Sequence, residues 1–141
     1  MNLGHRVLVA AHPQAWRVLQ TMLADVVDLV PAHTTADAFK ILEGEPIDLI
    51  VSTIAFDESR MLEFLQAVKQ TSSTGGIPFL CSRVLPSVVR DSLVIAMRDA
   101  CIQCGAVDLV DVARLPPDTA QDVMRKAVRA CLTAKAGSEA D

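Results

Sequence analysis

Short apolar runs alternate with amphipathic segments along the whole chain. The clearest run is Leu-Ile-Val at 49–51, within residues 46–53, and it follows the turn residues Gly-Glu-Pro at 44–46. A continuous apolar run of this length is typical of a strand that is buried on both faces of a parallel sheet. In open parallel sheets, ligands bind beyond the carboxyl ends of the strands. Function is therefore expected around Ser52, Thr53 and the residues that follow them.

Four further strands and five helices follow from the same pattern. The strands are predicted at 6–11, 26–32, 78–82 and 107–112. The helices are predicted to begin at Pro13, at Thr34 or Thr35, near Met61, at Pro86-Ser87, and at Pro116-Pro117. Strand and helix alternate five times, which indicates an α/β fold with right-handed crossovers. We expect a doubly wound, five-stranded parallel sheet in the order 2-1-3-4-5, with helices on both faces.

The fourth helix carries two apolar stripes. We expect Ser87 to be its N-cap and Gly105 to follow its end at Cys104. The stripe expected to pack on the sheet consists of Val89, Leu93, Ala96, Met97, Ala100 and Cys104. A second stripe of Val88, Ile95 and Ile102 has heptad spacing on the opposite side, which favours contact with a partner protein. The competing interpretation is that these are scattered exposed aliphatic residues, which are common on any surface.

Composition favours one globular domain. The chain has 141 residues, of which 51% are hydrophobic, with a net charge of −4. We expect a domain at 1–133 and a flexible tail at 134–141. The mild negative charge argues against nucleic-acid binding. The chain has no signal-peptide pattern and no apolar run of about 20 residues, so we expect a cytoplasmic protein that does not enter a membrane.

The four cysteines include a CxxC motif at Cys101 and Cys104. This motif lies at the end of a predicted helix, where the helix dipole favours neutral thiols, and no second motif completes a zinc site. We therefore interpret Cys81, Cys104 and Cys131 as small buried hydrophobic residues, and we expect Cys101 to be more exposed.

Over residues 6–132 the chain resembles a response-regulator receiver domain. The resemblance rests on Pro-Ile-Asp-Leu-Ile-Val-Ser at 46–52 as the third strand, on Gly-Ala-Val-Asp-Leu at 105–109, and on Pro117-Asp118 at the start of the last helix. It implies a flavodoxin-like or CheY-like fold. It also implies a role in a bacterial two-component phosphorelay.

The same resemblance implies a phosphorylation pocket, and this sequence departs from it. Receivers hold Mg²⁺ with two acids after the first strand and accept phosphate on an aspartate, assisted by a hydroxyl and a lysine. The matching positions here are Ala10, Ala11, Thr53, Ser82 and Val112. A methyl group cannot ligate a hard cation, and a threonine hydroxyl cannot form an acyl phosphate. We therefore predict a degenerate pseudo-receiver with no catalytic residues, metal or cofactor, which is not an enzyme.

Polar residues remain at the mouth of the sheet. His12, Thr53, Ser82 and Asp111 are placed where they could bind a small polar ligand, and Asp57 could offer a displaced phosphoacceptor. The competing interpretation is that these are local hydrogen-bonding groups and a solvated loop.

Our functional prediction is a stand-alone pseudo-receiver signalling module that acts by protein–protein interaction. Its partners would be proteins of a bacterial signalling pathway, and the resemblance suggests a homodimer through the fourth helix, fifth strand and fifth helix. The alternative is a small-molecule or redox sensor that uses the mouth of the sheet or Cys101 and Cys104. An enzyme is a third alternative, for which the sequence offers no nucleophile, base and orienting group together.

Overall fold

Five parallel strands form the centre of the structure, a computed structural model that describes residues 4–86 and 90–140, with side chains described as far as Thr133. The strands are β1 (Arg6–Ala10), β2 (Asp28–Ala32), β3 (Leu49–Thr53), β4 (Phe79–Arg83) and β5 (Asp108–Asp111). The main helices are α1 (Pro13–Leu23), α2 (Thr35–Gly44), α3 (Met61–Gln70), α4 (Val94–Gln103) and α5 (Pro117–Ala140). A turn at Phe56–Ser59 and a 3₁₀ turn at Asp91–Leu93 precede α3 and α4.

The strand order is β2-β1-β3-β4-β5, and every neighbouring pair is parallel. This confirms the predicted doubly wound α/β fold and the order 2-1-3-4-5. All five residues of β3 are buried, as its continuous apolar run predicted. The same holds for β4, so both strands lie in the interior of the sheet with helices over each face.

Two core layers cover the two faces of the sheet. One layer lies under α1 and α5, and includes Leu19, Leu23, Val51, Leu80, Met124 and Val128. The other lies under α2, α3 and α4, and includes Leu8, Ile50, Phe64, Phe79, Cys81 and Cys101. Phe64 is central to the second layer, since its ring lies 5.1–5.6 Å from the rings of Phe39, Phe56 and Phe79.

Three helix ends are set by side chains or glycine. His12 caps α1 through its Nδ1, which accepts a hydrogen bond from the Gln14 N–H at 3.2 Å. Thr34, one of the two predicted candidates, caps α2 through a hydrogen bond from the Asp37 N–H. Gly105 follows α4 with a φ of 108°, a backbone angle that favours glycine.

The fourth helix is shorter than predicted, and its packing face is different. It begins at Val94, after a 3₁₀ turn, and residues 87–89, with the predicted cap Ser87 and both Val88 and Val89, lie outside the described residues. The face that packs on the sheet includes Val94, Met97, Cys101 and Cys104, so the predicted stripe was right for Met97 and Cys104. It was wrong for Leu93 and Ala96, which are exposed, and it missed Val94 and Cys101.

Four strands are shorter than predicted, since β1 ends at Ala10, β2 begins at Asp28, β3 begins at Leu49 and β5 spans only Asp108–Asp111. The backbone of α5 continues to Ala140 and so includes most of the predicted tail, whose flexibility stays a prediction. Within the described parts of the chain, no helix combines the length and the apolar character that crossing a bilayer requires.

Shortening a side chain in the central strand should be costly. Leu49→Ala or Ile50→Ala should each lower the free energy of unfolding by about 2–5 kcal/mol, through lost apolar burial and the cavity left behind. Thr53→Val is the matched control on the same strand, because it keeps the volume and removes a buried hydroxyl without a described partner. Urea denaturation should show no loss of unfolding free energy for this control. An equal loss of unfolding free energy in all three variants would contradict the assignment of β3 as the central strand.

Candidate functional site

The carboxyl edge of the sheet brings together the ends of β1, β3, β4 and β5. Thr53 pairs in register with Ser82, and Arg83 pairs in the same way with Asp111. On the other side of β3, Ser52 pairs with Ala10. Because register partners in parallel strands project to the same face, Thr53 and Ser82 share one face and Arg83 and Asp111 share the other.

The end of β1 contributes methyl groups and backbone carbonyls. Ala10 and Ala11 are both fully buried. The Ala10 carbonyl accepts a hydrogen bond from the Ser52 hydroxyl at 3.1 Å. The Ala11 carbonyl accepts one from the Nδ1 of His33 at 2.8 Å, which fixes the proton on that ring nitrogen. These two positions therefore offer no carboxylate to a metal ion, and their carbonyls already have partners.

Thr53 is a buried hydroxyl at the end of the central strand. It is 3% exposed, and its Oγ1 makes no hydrogen bond within the described part of the chain. A depression beside it is lined by Ala15, Ile54, Ala55, Arg83, Val84 and Leu85. The enclosed space is about 10 Å³. That is room for about one water molecule.

Ser82 and Val112 serve the backbone of the sheet. Ser82 is fully buried, and its hydroxyl lies 3.5 Å from the carbonyl oxygen of Ser52. Val112 is buried, and its N–H donates to the Arg83 carbonyl at 3.0 Å. Neither residue presents a charged group to the edge of the sheet.

Arg83 is the residue that most distinguishes this edge, and the sequence interpretation overlooked it. It is 2% exposed, although it carries a positive charge. Its Nε donates to Oδ1 of Asp111 at 3.0 Å, and its Nη2 donates to Oδ2 of Asp111 at 2.8 Å. This two-point pairing of a guanidinium with a carboxylate is among the strongest hydrogen-bonded arrangements in proteins. The sequence did contain a signal for this ion pair. Arg83 interrupts the mostly apolar residues 79–85, and Asp111 ends the next strand.

The ion pairs continue from Arg83 to the start of α4. Nη2 of Arg83 also donates to Oδ1 of Asp91 at 2.8 Å, and Nε of Arg114 donates to Oδ2 of Asp91 at 2.6 Å. Asp111 also accepts the Ala113 N–H at 3.1 Å. We call Arg83, Asp91, Asp111 and Arg114 the edge network. It connects β4, β5, the turn before α4 and the loop after β5.

The edge network stabilises the charged forms of Arg83 and Asp91. The hydrogen bonds that Arg83 donates to Asp111 raise the pKa of Arg83 despite burial. The hydrogen bond from Arg83, followed by that from Arg114, lowers the pKa of Asp91. Each charge here is therefore compensated by an opposite charge at hydrogen-bonding distance, as a buried cation requires.

The other polar residues predicted at the mouth have separate structural roles. Asp57 and its neighbours Glu58 and Ser59 all have positive φ, at 46°, 57° and 66°. The carboxylate of Asp57 accepts the Thr35 N–H at the start of α2 at 2.9 Å, which lowers its pKa. His12 caps α1, and Asp111 pairs with Arg83. The structure therefore does not bring His12, Asp57 and Asp111 to the depression beside Thr53.

The described residues contain no cluster of three or more histidine, cysteine or acidic side chains with the geometry of a metal site. The CxxC motif is arranged differently from the prediction. Cys101 is fully buried and Cys104 is partly exposed, the reverse of what we expected, because Cys101 lies on the packing face of α4. Cys81 and Cys131 are buried as predicted.

Removing the two anions of the edge network should destabilise the protein more than removing the cation. Asp91→Asn with Asp111→Asn removes both carboxylates that pair with the buried guanidinium in the edge network. Arg83→Met leaves Asp91 and Asp111, whose side chains are 53% and 31% exposed and can be hydrated. Urea denaturation at neutral pH should therefore show a larger loss of unfolding free energy for the double variant than for Arg83→Met.

The pH dependence supplies a second arm of this test. The pKa of Asp91 is lower in the folded protein than in the unfolded chain, where an aspartate has a pKa of about 3.9. The pairing of Asp91 with Arg83 therefore stabilises the fold fully above that unfolded-state pKa. This stabilisation is lost as the pH falls through the pKa of Asp91 in the folded protein. The stability difference between wild type and Arg83→Met should be constant above about pH 5 and shrink below about pH 4. A larger loss for Arg83→Met at neutral pH, or a difference that persists into strong acid, would contradict the role given to the edge network.

Comparison with known proteins identifies the fold. No family model matches the chain, and no curated protein sequence is similar to it. Solved structures do match. The receiver domain of a signal transduction histidine kinase from Syntrophus aciditrophicus is 17% identical, with a TM-score of 0.71 over 93% of this chain and 92% of that one. The chemotaxis response regulator CheY4 of Vibrio cholerae is 16% identical, with a TM-score of 0.65 over 87% and 98%.

A third match is the phosphorylated cyanobacterial phytochrome response regulator RcpA. It is 12% identical, with a TM-score of 0.69 over 88% of this chain and 91% of that one. Matches at this level of identity show the fold and leave the chemistry to be argued from the residues. The chain has the CheY-like fold of response-regulator receiver domains.

Proposed function

We propose that the protein is a pseudo-receiver, a signalling module that acts by protein–protein contact and does not accept a phosphoryl group by the aspartate mechanism. The observation that carries this proposal is the edge network. A buried arginine, paired with Asp111 and Asp91, follows Ser82, the residue of β4 that pairs in register with Thr53. The chemistry implied by the receiver fold requires carboxylates and a divalent cation at this edge.

The argument against phosphoryl transfer is electrostatic and chemical. A hard divalent cation takes oxygen ligands, preferably carboxylates, and the end of β1 offers the methyl groups of Ala10 and Ala11. Phosphoryl transfer depends on cations that neutralise the charge of the transferring group. Val112 supplies no charge, and the guanidinium of Arg83 is engaged by two carboxylates. Thr53 lacks the carboxylate needed for an acyl phosphate.

The proposed signalling role rests on the likeness in fold. The similar structures are described as a receiver domain of a histidine kinase, a chemotaxis response regulator and a phytochrome response regulator. Function is carried by sites more than by folds, so this likeness supports a signalling role by analogy. We therefore propose that the protein has a non-enzymatic role in a bacterial signalling pathway.

The proposed contact surface lies on α4 and the segments that follow it. Ile95 is 74% exposed and Ile102 is 43% exposed, at a spacing of seven residues on one helix. Leu93, Val107 and Leu115 are further exposed aliphatic side chains of this region. We propose that this surface binds a signalling protein and also supports a homodimer through α4, β5 and α5. Val88, the third member of the predicted stripe, lies outside the described residues.

A small-molecule sensor is the weaker alternative. The depression beside Thr53 holds about one water molecule, whereas ligand pockets usually enclose about 300–1,000 Å³. His12, Asp57 and Asp111 each have a separate structural partner. These observations favour a signalling module without a small ligand at the mouth of the sheet.

The protein should not be phosphorylated by acetyl phosphate and Mg²⁺. We expect its intact mass to stay unchanged, because the described residues contain no cluster of three or more acidic, histidine or cysteine side chains for the cation, and Thr53 has no carboxylate. Thr53→Asp should also remain unmodified, since Ala10, Ala11 and Val112 still supply neither metal ligands nor a positive charge.

The positive control for this experiment is a receiver domain that has the full acidic set, treated in the same reaction. The outcome that would overturn the proposal is a stable phosphoryl adduct on Thr53 or Asp57 in the wild-type protein. Peptide mapping of the treated protein distinguishes these two positions.

Charges on the exposed face of α4 should weaken self-association. Ile95→Asp with Ile102→Asp introduces two carboxylates that would have to be desolvated in an interface, so we expect sedimentation to shift from dimer to monomer. Gln20→Asp with Gln70→Asp is the matched control, because both residues are exposed on other helices. A wild-type protein that already sediments as a monomer would reject the homodimer, and equal effects of both double variants would reject this face.

A further inference from the structure

Three successive residues between β3 and α3 have a left-handed backbone conformation. Asp57, Glu58 and Ser59 have φ angles of 46°, 57° and 66°, and none of them is a glycine. A residue with a side chain is strained in this region, because its Cβ comes too close to the following carbonyl oxygen. Such residues normally occur singly. A run of three therefore holds strain that other contacts must offset, and we call residues 57–59 the left-handed segment.

The residues on either side of the left-handed segment are anchored in the core. Phe56 is fully buried, and its ring centroid lies 5.1 Å from that of Phe64 in α3. Met61, the first residue of α3, is also buried. Between these anchors, Glu58 and Ser59 are exposed. Core packing therefore fixes where the segment begins and ends, whereas its middle residues lie at the surface.

One hydrogen bond ties the left-handed segment to a distant element. The carboxylate of Asp57 accepts the Thr35 N–H at 2.9 Å. Thr35 is the first residue of α2, so its N–H is one of the donors for which a helix has no internal acceptor. The positive end of the helix dipole also attracts a carboxylate at this position. Among the residues that the structure describes, no other hydrogen bond joins 57–59 to a different helix or strand.

We propose that Asp57 is a conformational latch: its hydrogen bond to α2 holds residues 57–59 in the left-handed conformation, and they return to negative φ when that hydrogen bond is lost. A hydrogen bond to a charged acceptor is comparable in free energy to the strain that it must offset here. The latched and released conformations therefore lie close in free energy, which is the property of a bistable loop.

Release of the latch changes the rim of a cavity between α3 and α4. Ser59 lines this cavity, which has a volume of about 110 Å³, together with Met61, Leu62 and Met97. Met97 belongs to α4, the helix that carries the proposed contact surface. The left-handed segment thus connects the start of α2 with a cavity beside α4. The latch stands independently of the proposed function, because it needs only the strained segment and its hydrogen bond.

The test combines a variant that opens the latch with variants that report the strain. Thr35→Pro removes the N–H that Asp57 accepts, and proline is well tolerated at the first position of a helix. Glu58→Gly relieves the strain at an exposed position, whereas Glu58→Ala keeps it. With the latch intact, urea denaturation should give Glu58→Gly a folding equilibrium constant roughly fivefold larger than that of Glu58→Ala. Combined with Thr35→Pro, this advantage of glycine should disappear.

NMR spectra of the same proteins report the backbone directly, because a positive φ gives a strong nuclear Overhauser effect between the amide and α protons of one residue. We expect strong effects at residues 57–59 in the wild type and in Thr35→Ala, the matched control that keeps the N–H. They should be weak in Thr35→Pro and in Asp57→Ala, which removes the acceptor instead of the donor.

The proposal is overturned if these effects stay strong in both latch variants, or if they are already weak in the wild type. It is also overturned if glycine at position 58 has no advantage over alanine while the latch is intact. An advantage that persists unchanged in the Thr35→Pro background would equally contradict it.

Discussion

A buried guanidinium is the constraint on which the carboxyl edge of this structure depends. Arg83 is the last residue of β4 and is only 2% exposed, and a buried charge without a counter-charge is strongly destabilising. Its pairing with Asp111 fixes the end of β5 against β4, and its contact with Asp91 fixes the turn from which α4 begins. Arg114 extends the same set of charges to the loop after β5. The edge network therefore links the carboxyl end of the sheet to the turn before α4.

In our proposal, the protein has the fold of this family and lacks the phosphoryl-transfer chemistry that the family performs. The alternating elements, the sheet order and the two core layers are those of a receiver domain, as the similar structures show for the fold. At the edge, Ala10 and Ala11 are buried and Arg83 is paired with Asp111, and our proposal is that no set of acids holds magnesium there. We infer that regulation of such a module lies in its contacts.

The fold could be predicted because its signals are local. The unbroken apolar run of β3 and the five strand–helix alternations indicated a parallel sheet, and the structure has that sheet. The site was predicted less well, because its key interaction joins residues that are far apart in the chain. Periodicity gives no sign that Arg83 pairs with Asp111, nor that Asp91 holds the chain before α4. The packing face of α4 was predicted in part: Met97 and Cys104 pack on the sheet, whereas Leu93 is exposed and Cys101, expected to be exposed, is buried.

The central claim is that this edge of the sheet offers no site to a divalent cation. The most direct test is an NMR titration of the backbone amides with Mn²⁺, which takes the same oxygen ligands as Mg²⁺ and broadens nearby signals. We expect the amides of Ala10, Ala11, Thr53 and Arg83 to be broadened no more than those of exposed acidic residues elsewhere. Selective, saturable broadening centred between β1 and β3, competed away by Mg²⁺, would contradict the claim.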